Sequence, residues 1–208
     1  MKGLIIKEFL GLRRYFRILA VLMVLYIFMS FGMTSVSIFA SVNAILIMIC
    51  SLSSFSYDSY NHWNEFAMSL PLSRADIVKS KYLFIILLSA FGTVVTLVLS
   101  LIVGLILHIS MLEILISTLI SLLVALFLGG LITPFIYKFG TEKARYIMMI
   151  TVLIPAVGLT FLSSYLPTLH LPSAQTLTLL AWCSPVFVLA FVFLSYLISK
   201  RIFMNKDL

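Results

Sequence analysis

Long apolar runs without charge alternate with short charged segments along the chain. The uncharged runs cover residues 18–57, 82–112, 114–137 and 146–199. Because a helix needs about 20 apolar residues to cross the hydrocarbon core of a bilayer, the first and last runs have room for two spans each. The pattern therefore predicts six transmembrane helices, at about 18–33, 37–57, 82–108, 113–137, 146–165 and 176–199.

Two short interruptions divide the long runs. The stretch GMTSVS at 32–37 is small and polar, and YLPTLHLPS at 165–173 contains two prolines, which do not fit a straight helix. The whole chain, 1–208, is therefore expected to be a single transmembrane domain of the all-α class. The second interruption has an alternative interpretation as a small re-entrant cap over 165–175.

Composition and charge fit a protein whose surface faces lipid. Hydrophobic residues make up 62% of the chain and charged residues 10%, whereas a soluble domain is about half apolar and about a quarter charged. All 14 Lys and Arg fall in four groups, which six spans place on one side of the membrane. The positive side is cytoplasmic, so both termini are expected inside, in a plasma membrane. Such grouping sets topology, and no nucleic-acid partner is expected.

The amino-terminal segment, residues 2–17, has the pattern of an amphipathic helix that lies in the membrane interface. Its apolar residues recur every three or four positions, as Ile5, Phe9, Leu12 and Phe16. Glu8 and several cations supply the polar face. The cations are expected to meet the headgroups of anionic membrane lipid.

The segment between the second and third spans, residues 58–81, is longer than a simple connection requires. It reads DSYNHWNEFAMSLPLSRADIVKSK. Pro71 ends one element, and Ser73 is placed to cap a new helix that enters span three, with Asp76 in the capping-box position. Trp63 and Phe66, at i and i+3, form an apolar face on a short helix. Two interpretations of this face stay open, because such a pair rests in the membrane interface or fits a groove on a soluble partner.

Small and hydroxyl-bearing residues form stripes on spans three and four. They recur at three- or four-residue spacing, as Ser89, Thr93, Thr96, Ser100, Ser117 and Ser121. Such stripes serve close helix packing or line a translocation pathway, and both interpretations are kept. No Asp, Glu, Lys or Arg is expected to be buried at membrane depth, which argues against a proton- or sodium-coupled carrier.

Motifs for catalysis or for metal and nucleotide binding are absent from the sequence. There is no HExxH pair for zinc, no GxSxG elbow and no GxxxxGK loop for ATP. The chain is therefore expected not to be an enzyme and to bind no metal or cofactor. If transport is driven by ATP, the nucleotide must bind to another chain.

Taken together, these residues resemble the small six-span permeases of ABC type 2 exporters. The likeness lies in the KGLIIKEF start and in the segment with an acidic residue, an aromatic, L-P-x-S-R and then K-Y entering span three. The resemblance implies a permease half that pairs with a second copy or a paralogue and with two ATPase subunits, which hold ATP and Mg²⁺. It implies a coupling helix around Trp63–Phe66, with the ATPase-coupling residues Asp58, Trp63, Glu65, Phe66, Pro71, Ser73 and Arg74.

The same resemblance suggests the direction and cargo of transport. Permeases of this size and style export amphipathic peptides, such as phenol-soluble modulins, or lipid-like and antimicrobial compounds from bacteria. The alternative is a membrane protein that does not transport, such as an immunity protein or a sensor-regulator subunit. That alternative predicts no ATPase partner.

Overall fold

The chain is almost entirely helical in the residues that its computed structural model describes, which are 2–33, 37–71, 73–165 and 174–205. No strand occurs in these ranges, so the predicted all-α class is confirmed. The helices are α1 (Lys2–Gly11), α2 (Arg13–Met33), α3 (Ser37–Tyr60), α4 (Trp63–Ser69), α5 (Arg74–Leu107), α6 (Met111–Tyr165) and α7 (Ala174–Met204).

Within the described ranges, four helices are long and apolar enough to cross a membrane. They are Ser41–Tyr60, Arg74–Leu107, Met111–Thr151 and Cys183–Met204. Among the described residues, α2 also contains a shorter apolar helical stretch, Ala20–Ser30. The chain is thus a multi-pass membrane protein, and the count of six spans stays a prediction. The re-entrant cap proposed for 165–175 lies almost wholly outside the described residues.

Gly140 divides α6 into two helical parts. Its backbone (φ 82°, ψ 172°) is not helical, and this conformation is open to glycine but strained for residues with a Cβ. The break falls in the charged segment that the sequence assigns to the turn between two expected spans. It lies at the same end of the bundle as α1, α4, the start of α5 and the end of α7, and we call this end the charged end.

An aromatic and aliphatic cluster holds the helices together at the charged end. Its central ring is Tyr137 of α6, whose centroid lies 5.2 Å from that of Phe55 and 5.1 Å from that of Phe203. Ala67 of α4 and Ile77 of α5 are buried in the same cluster. Five helices therefore meet in one hydrophobic core at this end.

A buried hydroxyl group ties α5 to α6 and α7. The Tyr82 hydroxyl lies 2.6 Å from Ser195 Oγ and 2.8 Å from Ser199 Oγ. Ser195 in turn donates to the Gly130 carbonyl at 2.5 Å. Since lipid offers no hydrogen bonds, such side-chain links between helices satisfy polar groups that would otherwise be costly to bury.

The amino-terminal segment differs from the single helix expected over residues 2–17. It is interrupted at Leu12, between the end of α1 at Gly11 and the start of α2 at Arg13. Leu12 is 1% exposed and packs in a cluster with Ile47 and Phe84. Glycine is a weak helix former, which fits an interruption directly after Gly11. Burial of Leu12 at this point holds the segment against α3 and α5.

Candidate functional site

Two acids and two lysines from three helices meet in one cluster at the charged end. Lys81 of α5 lies at its centre, with Nζ 2.7 Å from Glu8 Oε1 of α1 and 2.6 Å from Asp58 Oδ2 of α3. Lys7 Nζ lies 3.0 Å from Glu8 Oε1 and also pairs with Asp58. Ser54 accepts a hydrogen bond from Lys81 at 2.6 Å and donates one to Glu8. We call these five residues the charge cluster.

Because these charges are buried, each requires an oppositely charged partner within the cluster. Glu8, Asp58 and Lys81 are 4%, 5% and 3% exposed, and only Lys7 retains moderate access to solvent. The three N–H groups of the Lys81 ammonium face three oxygen acceptors, so its hydrogen bonds are complete. Two positive and two negative groups leave the cluster neutral, which is the condition under which buried charges are tolerated.

The electrostatics of Glu8 are set by the two lysines. Burial alone would raise the pKa of this carboxyl, but the Lys81 and Lys7 ammonium groups and the hydrogen bonds from Lys81 and Ser54 outweigh it. The pKa of Glu8 is therefore below its ordinary value. Glu8 is ionised at neutral pH, and its charge belongs to the cluster.

The charge cluster also holds the short helix α4. Lys7 Nζ lies 4.1 Å from the centroid of the Trp63 ring, a cation–π contact. Trp63 packs on the hydrophobic cluster of the charged end, where Ala67, one turn later, is fully buried. Trp63 and Ala67 thus form the inner face of α4, which packs against α3 and contacts Lys7 of α1.

The opposite face of α4 points away from the bundle. Phe66 is 56% exposed, although its ring lies only 5.6 Å from that of Trp63. Glu65 is exposed beside it and contacts His62 Nδ1 at 3.2 Å. The two aromatic residues that the sequence paired on one face therefore have different environments, with Trp63 inside and Phe66 outside.

The remaining residues of the predicted coupling segment form the turn into α5. Pro71 is exposed after the end of α4. Ser73 Oγ accepts a hydrogen bond from the Asp76 backbone N–H at 3.1 Å, so the predicted N-cap is confirmed. Arg74 Nη1 donates to the Met204 carbonyl at 2.9 Å, which fastens the start of α5 to the end of α7.

The orientation expected for α1 is wrong at Glu8. The sequence placed this residue on a polar face, but Glu8 is buried together with Leu4 and Leu12, and Ile5 and Phe9 are half-buried. The cause is pairing with Lys81, which offsets the cost of burying the carboxylate. Phe9 still makes an apolar contact, edge-on to Phe84 at 5.3 Å. The Phe16 side chain lies outside the described residues.

The expectation that no Asp, Glu, Lys or Arg is buried at membrane depth stays a prediction, but Lys81 and Asp58 are buried at the charged end of the bundle. Both lie inside stretches long and apolar enough to span a membrane. Sequence reasoning treated Lys81 as a topology-setting charge and missed Lys7 and Ser54. A usable signal was present, because Lys81 follows Ile77 and Val78 by four and three positions and so shares their helix face.

The predicted small-residue stripes face the interior of the bundle. Ser89, Thr96 and Ser100 are at most 1% exposed, Ser117 and Ser121 are buried, and Thr93 is half-buried. Ser121 Oγ accepts a 2.7 Å hydrogen bond from Asn43 Nδ2 of α3. No sequence pattern marks Asn43 as special. Its side chain also faces Gly92 of α5 closely enough that a Cβ there would collide with it.

Comparison with known proteins identifies a family for this chain. A family model described as an ABC-2 family transporter protein matches residues 3–204. No curated protein and no solved structure matches the chain significantly. In the part of the chain that the structure describes, no group of His, Cys, Asp and Glu residues could hold a metal ion.

Proposed function

Because the chain belongs to the ABC-2 family of transporter proteins, we propose that it is the permease subunit of an ATP-driven exporter and that α4 docks onto a separate ATPase. The observation that carries this proposal is the two-sided character of α4. Its inner face is fixed by Trp63, while Phe66 is left exposed on a short helix at the charged end. Aromatic residues of this kind form hot spots when a partner covers them.

The charge cluster supports a route for motion between the ATPase and the membrane helices. It joins α1, α3 and α5 through buried ion pairs, and Trp63 rests on Lys7 at its edge. A packed interior transmits displacement because its parts cannot yield independently. A shift of α4 caused by ATP binding on the partner would therefore move the ends of these three helices together.

The orientation and assembly in this proposal follow from charge and family. The Lys and Arg residues lie in four groups that six spans place on one side, so we place both termini in the cytoplasm of a bacterial cell. Two permease chains, as a homodimer or with a paralogue, would form the pathway. Two ATPase subunits would bind ATP and Mg²⁺, because the sequence has no nucleotide-binding loop of its own.

The docking step is tested by one substitution on α4. With a co-expressed ABC ATPase, Phe66→Ala should reduce the affinity of the complex at least about tenfold, because an aromatic hot spot contributes about 2 kcal/mol or more. Phe193→Ala is the matched control, since it removes an equally exposed phenylalanine from the apolar helix α7. Full retention of the ATPase by Phe66→Ala would assign Phe66 to the membrane interface instead.

The proposed cargo is an amphipathic peptide or a lipid-like antimicrobial compound, moved outward. The expected spans from Tyr82 to Tyr137 carry no charge except Glu113 at a turn, which suits cargo with large apolar surface. In vesicles containing the permease and ATPase, an amphipathic helical peptide should stimulate ATP hydrolysis more than a scrambled peptide of the same composition. Equal responses would reject this cargo class and leave the docking proposal standing.

A further inference from the structure

A cavity of about 450 Å³ lies between α2 and the pair α3 and α5. Its walls are apolar except for Asn43, whose amide N–H already donates to Ser121 of α6. An empty apolar cavity leaves its lining without contacts on one side, and water is poorly held where polar partners are few. The cavity therefore favours an apolar occupant.

The dimensions and position of this cavity suit one lipid tail. Phe9 lines its charged end, and along α5 the lining extends from Leu88 to Val95, about 10 Å of helix. One leaflet of the hydrocarbon core is about 15 Å thick, so the cavity covers about two thirds of one leaflet. Phe91 lines it and is largely exposed, so the cavity opens at the outer surface of the bundle.

Two cations of α2 lie just outside the cavity. Arg13 and Arg17 are exposed on α2, and Ala20, which lines the cavity, follows them by seven and three positions. This spacing puts all three residues on one face of α2. The nearby carboxylates of Glu8 and Asp58 are already paired with lysines. Guanidinium groups bind phosphate through paired N–H donors, so the arginines are placed to bind a headgroup.

We propose that this cavity binds one acyl chain of an anionic phospholipid from the leaflet at the charged end, with Arg13 and Arg17 on its phosphate. Such a lipid meets both requirements at once, because its tail fills the apolar volume and its headgroup matches the two cations. An uncharged apolar molecule would fill the apolar volume but would not match the two cations. The lipid would wedge α2 against α3 and α5, and this site does not depend on whether α4 docks an ATPase.

The charge requirement is tested with phosphatidylglycerol and phosphatidylcholine carrying the same tails. Native mass spectrometry of the purified, delipidated chain should show one tightly bound phosphatidylglycerol, with at least about tenfold preference over phosphatidylcholine. The double variant Arg13→Gln/Arg17→Gln should lose this preference. Both arginines are exposed, so the variant is expected to fold. An unchanged preference would overturn the assignment of the phosphate to these residues.

The cavity itself is tested by filling it. Ala20→Phe/Val95→Phe places two rings in the cavity, and Val21→Phe/Val94→Phe places them at exposed positions of the same two helices. The first variant should bind phosphatidylglycerol at least about tenfold more weakly, while the control binds as the unmodified chain does. Circular dichroism and gel filtration report folding and oligomeric state. Equal binding by both variants would mean that the bound phosphatidylglycerol is ordinary lipid on the outer surface of the helices. Loss of a dimer without loss of lipid would mean that a second copy of the chain fills the cavity. Either result would overturn the proposal.

Discussion

Removal of the Lys81 ammonium should unbalance the charge cluster. Lys81→Met keeps most of the aliphatic side chain but leaves Glu8 and Asp58 with Lys7 as their only cation. Both carboxylates are almost fully buried and lie within 2.7 Å of the Lys81 Nζ. Loss of one partner from a buried pair leaves an uncompensated charge and costs about 3–5 kcal/mol. We expect a loss of unfolding free energy near the lower value, because Lys7 remains as a partial substitute.

The measurement is reversible unfolding of the purified chain in mixed micelles with increasing sodium dodecyl sulfate, followed by circular dichroism. Lys79→Met is the matched control, since Lys79 is exposed on the same helix and should change stability by no more than about 0.5 kcal/mol. Glu8→Gln/Lys81→Met restores neutrality. Its loss of unfolding free energy should be smaller than the sum of the losses in the two single variants, by at least about 1 kcal/mol. If Lys81→Met is as stable as Lys79→Met, Lys81 does not form a stabilising ionic network with Glu8 and Asp58.

Three further predictions concern pH, a helix cap and a glycine. The pKa of Glu8 in the folded chain lies below its ordinary value of 4.5, so its stabilising effect is complete above pH 4.5 and is lost as the pH falls through the folded pKa. The thermal midpoint of unfolding should therefore fall in this acid range, and it should fall less in Glu8→Gln. Identical acid profiles of the two chains would exclude a role for Glu8. Ser73→Ala removes the N-cap of α5 and should lower the unfolding free energy by about 1 kcal/mol, with rescue by Ser73→Asp; an unchanged value would mean that the cap is dispensable. Gly140→Ala forces a Cβ into a backbone conformation with φ 82° and should lower the unfolding free energy by about 1–3 kcal/mol. The control Gly158→Ala, at a helical position with open space around it, should leave the unfolding free energy unchanged or raise it. Equal effects of the two substitutions would contradict the special role of Gly140.

Local features of the coupling segment were predictable from the sequence. The N-cap at Ser73 depends on residues within one turn, and its signal is a serine after a proline with an acid three positions later. The short helix carrying Trp63 and Phe66 was also predictable, because the i, i+3 spacing of the two aromatic residues likewise lies within one turn. Which ring faces inward was not predictable, because it depends on Lys7, which lies in a different helix.

The charge cluster could not be predicted from local patterns. Lys7 and Asp58 are 51 positions apart in the chain, and each by itself reads as an ordinary charge at a membrane surface. Their burial is tolerable only because Lys81 and Glu8 complete a neutral set. The helical spacing of Lys81 with Ile77 and Val78 indicates a buried face, but it does not identify a partner.

The charge cluster also imposes an order on how the chain is made. Lys7 and Glu8 leave the ribosome first, but Asp58 follows Lys7 by 51 residues, an interval of about 3–10 s at about 5–20 residues per second. Until α3 and α5 are in place, the acid and the lysine of α1 have no buried partners and must stay hydrated at the membrane surface. The amino-terminal helix is therefore the first to be synthesised, but it can complete these ion pairs only after α5 has been made, so its docking follows the insertion of α3 and α5.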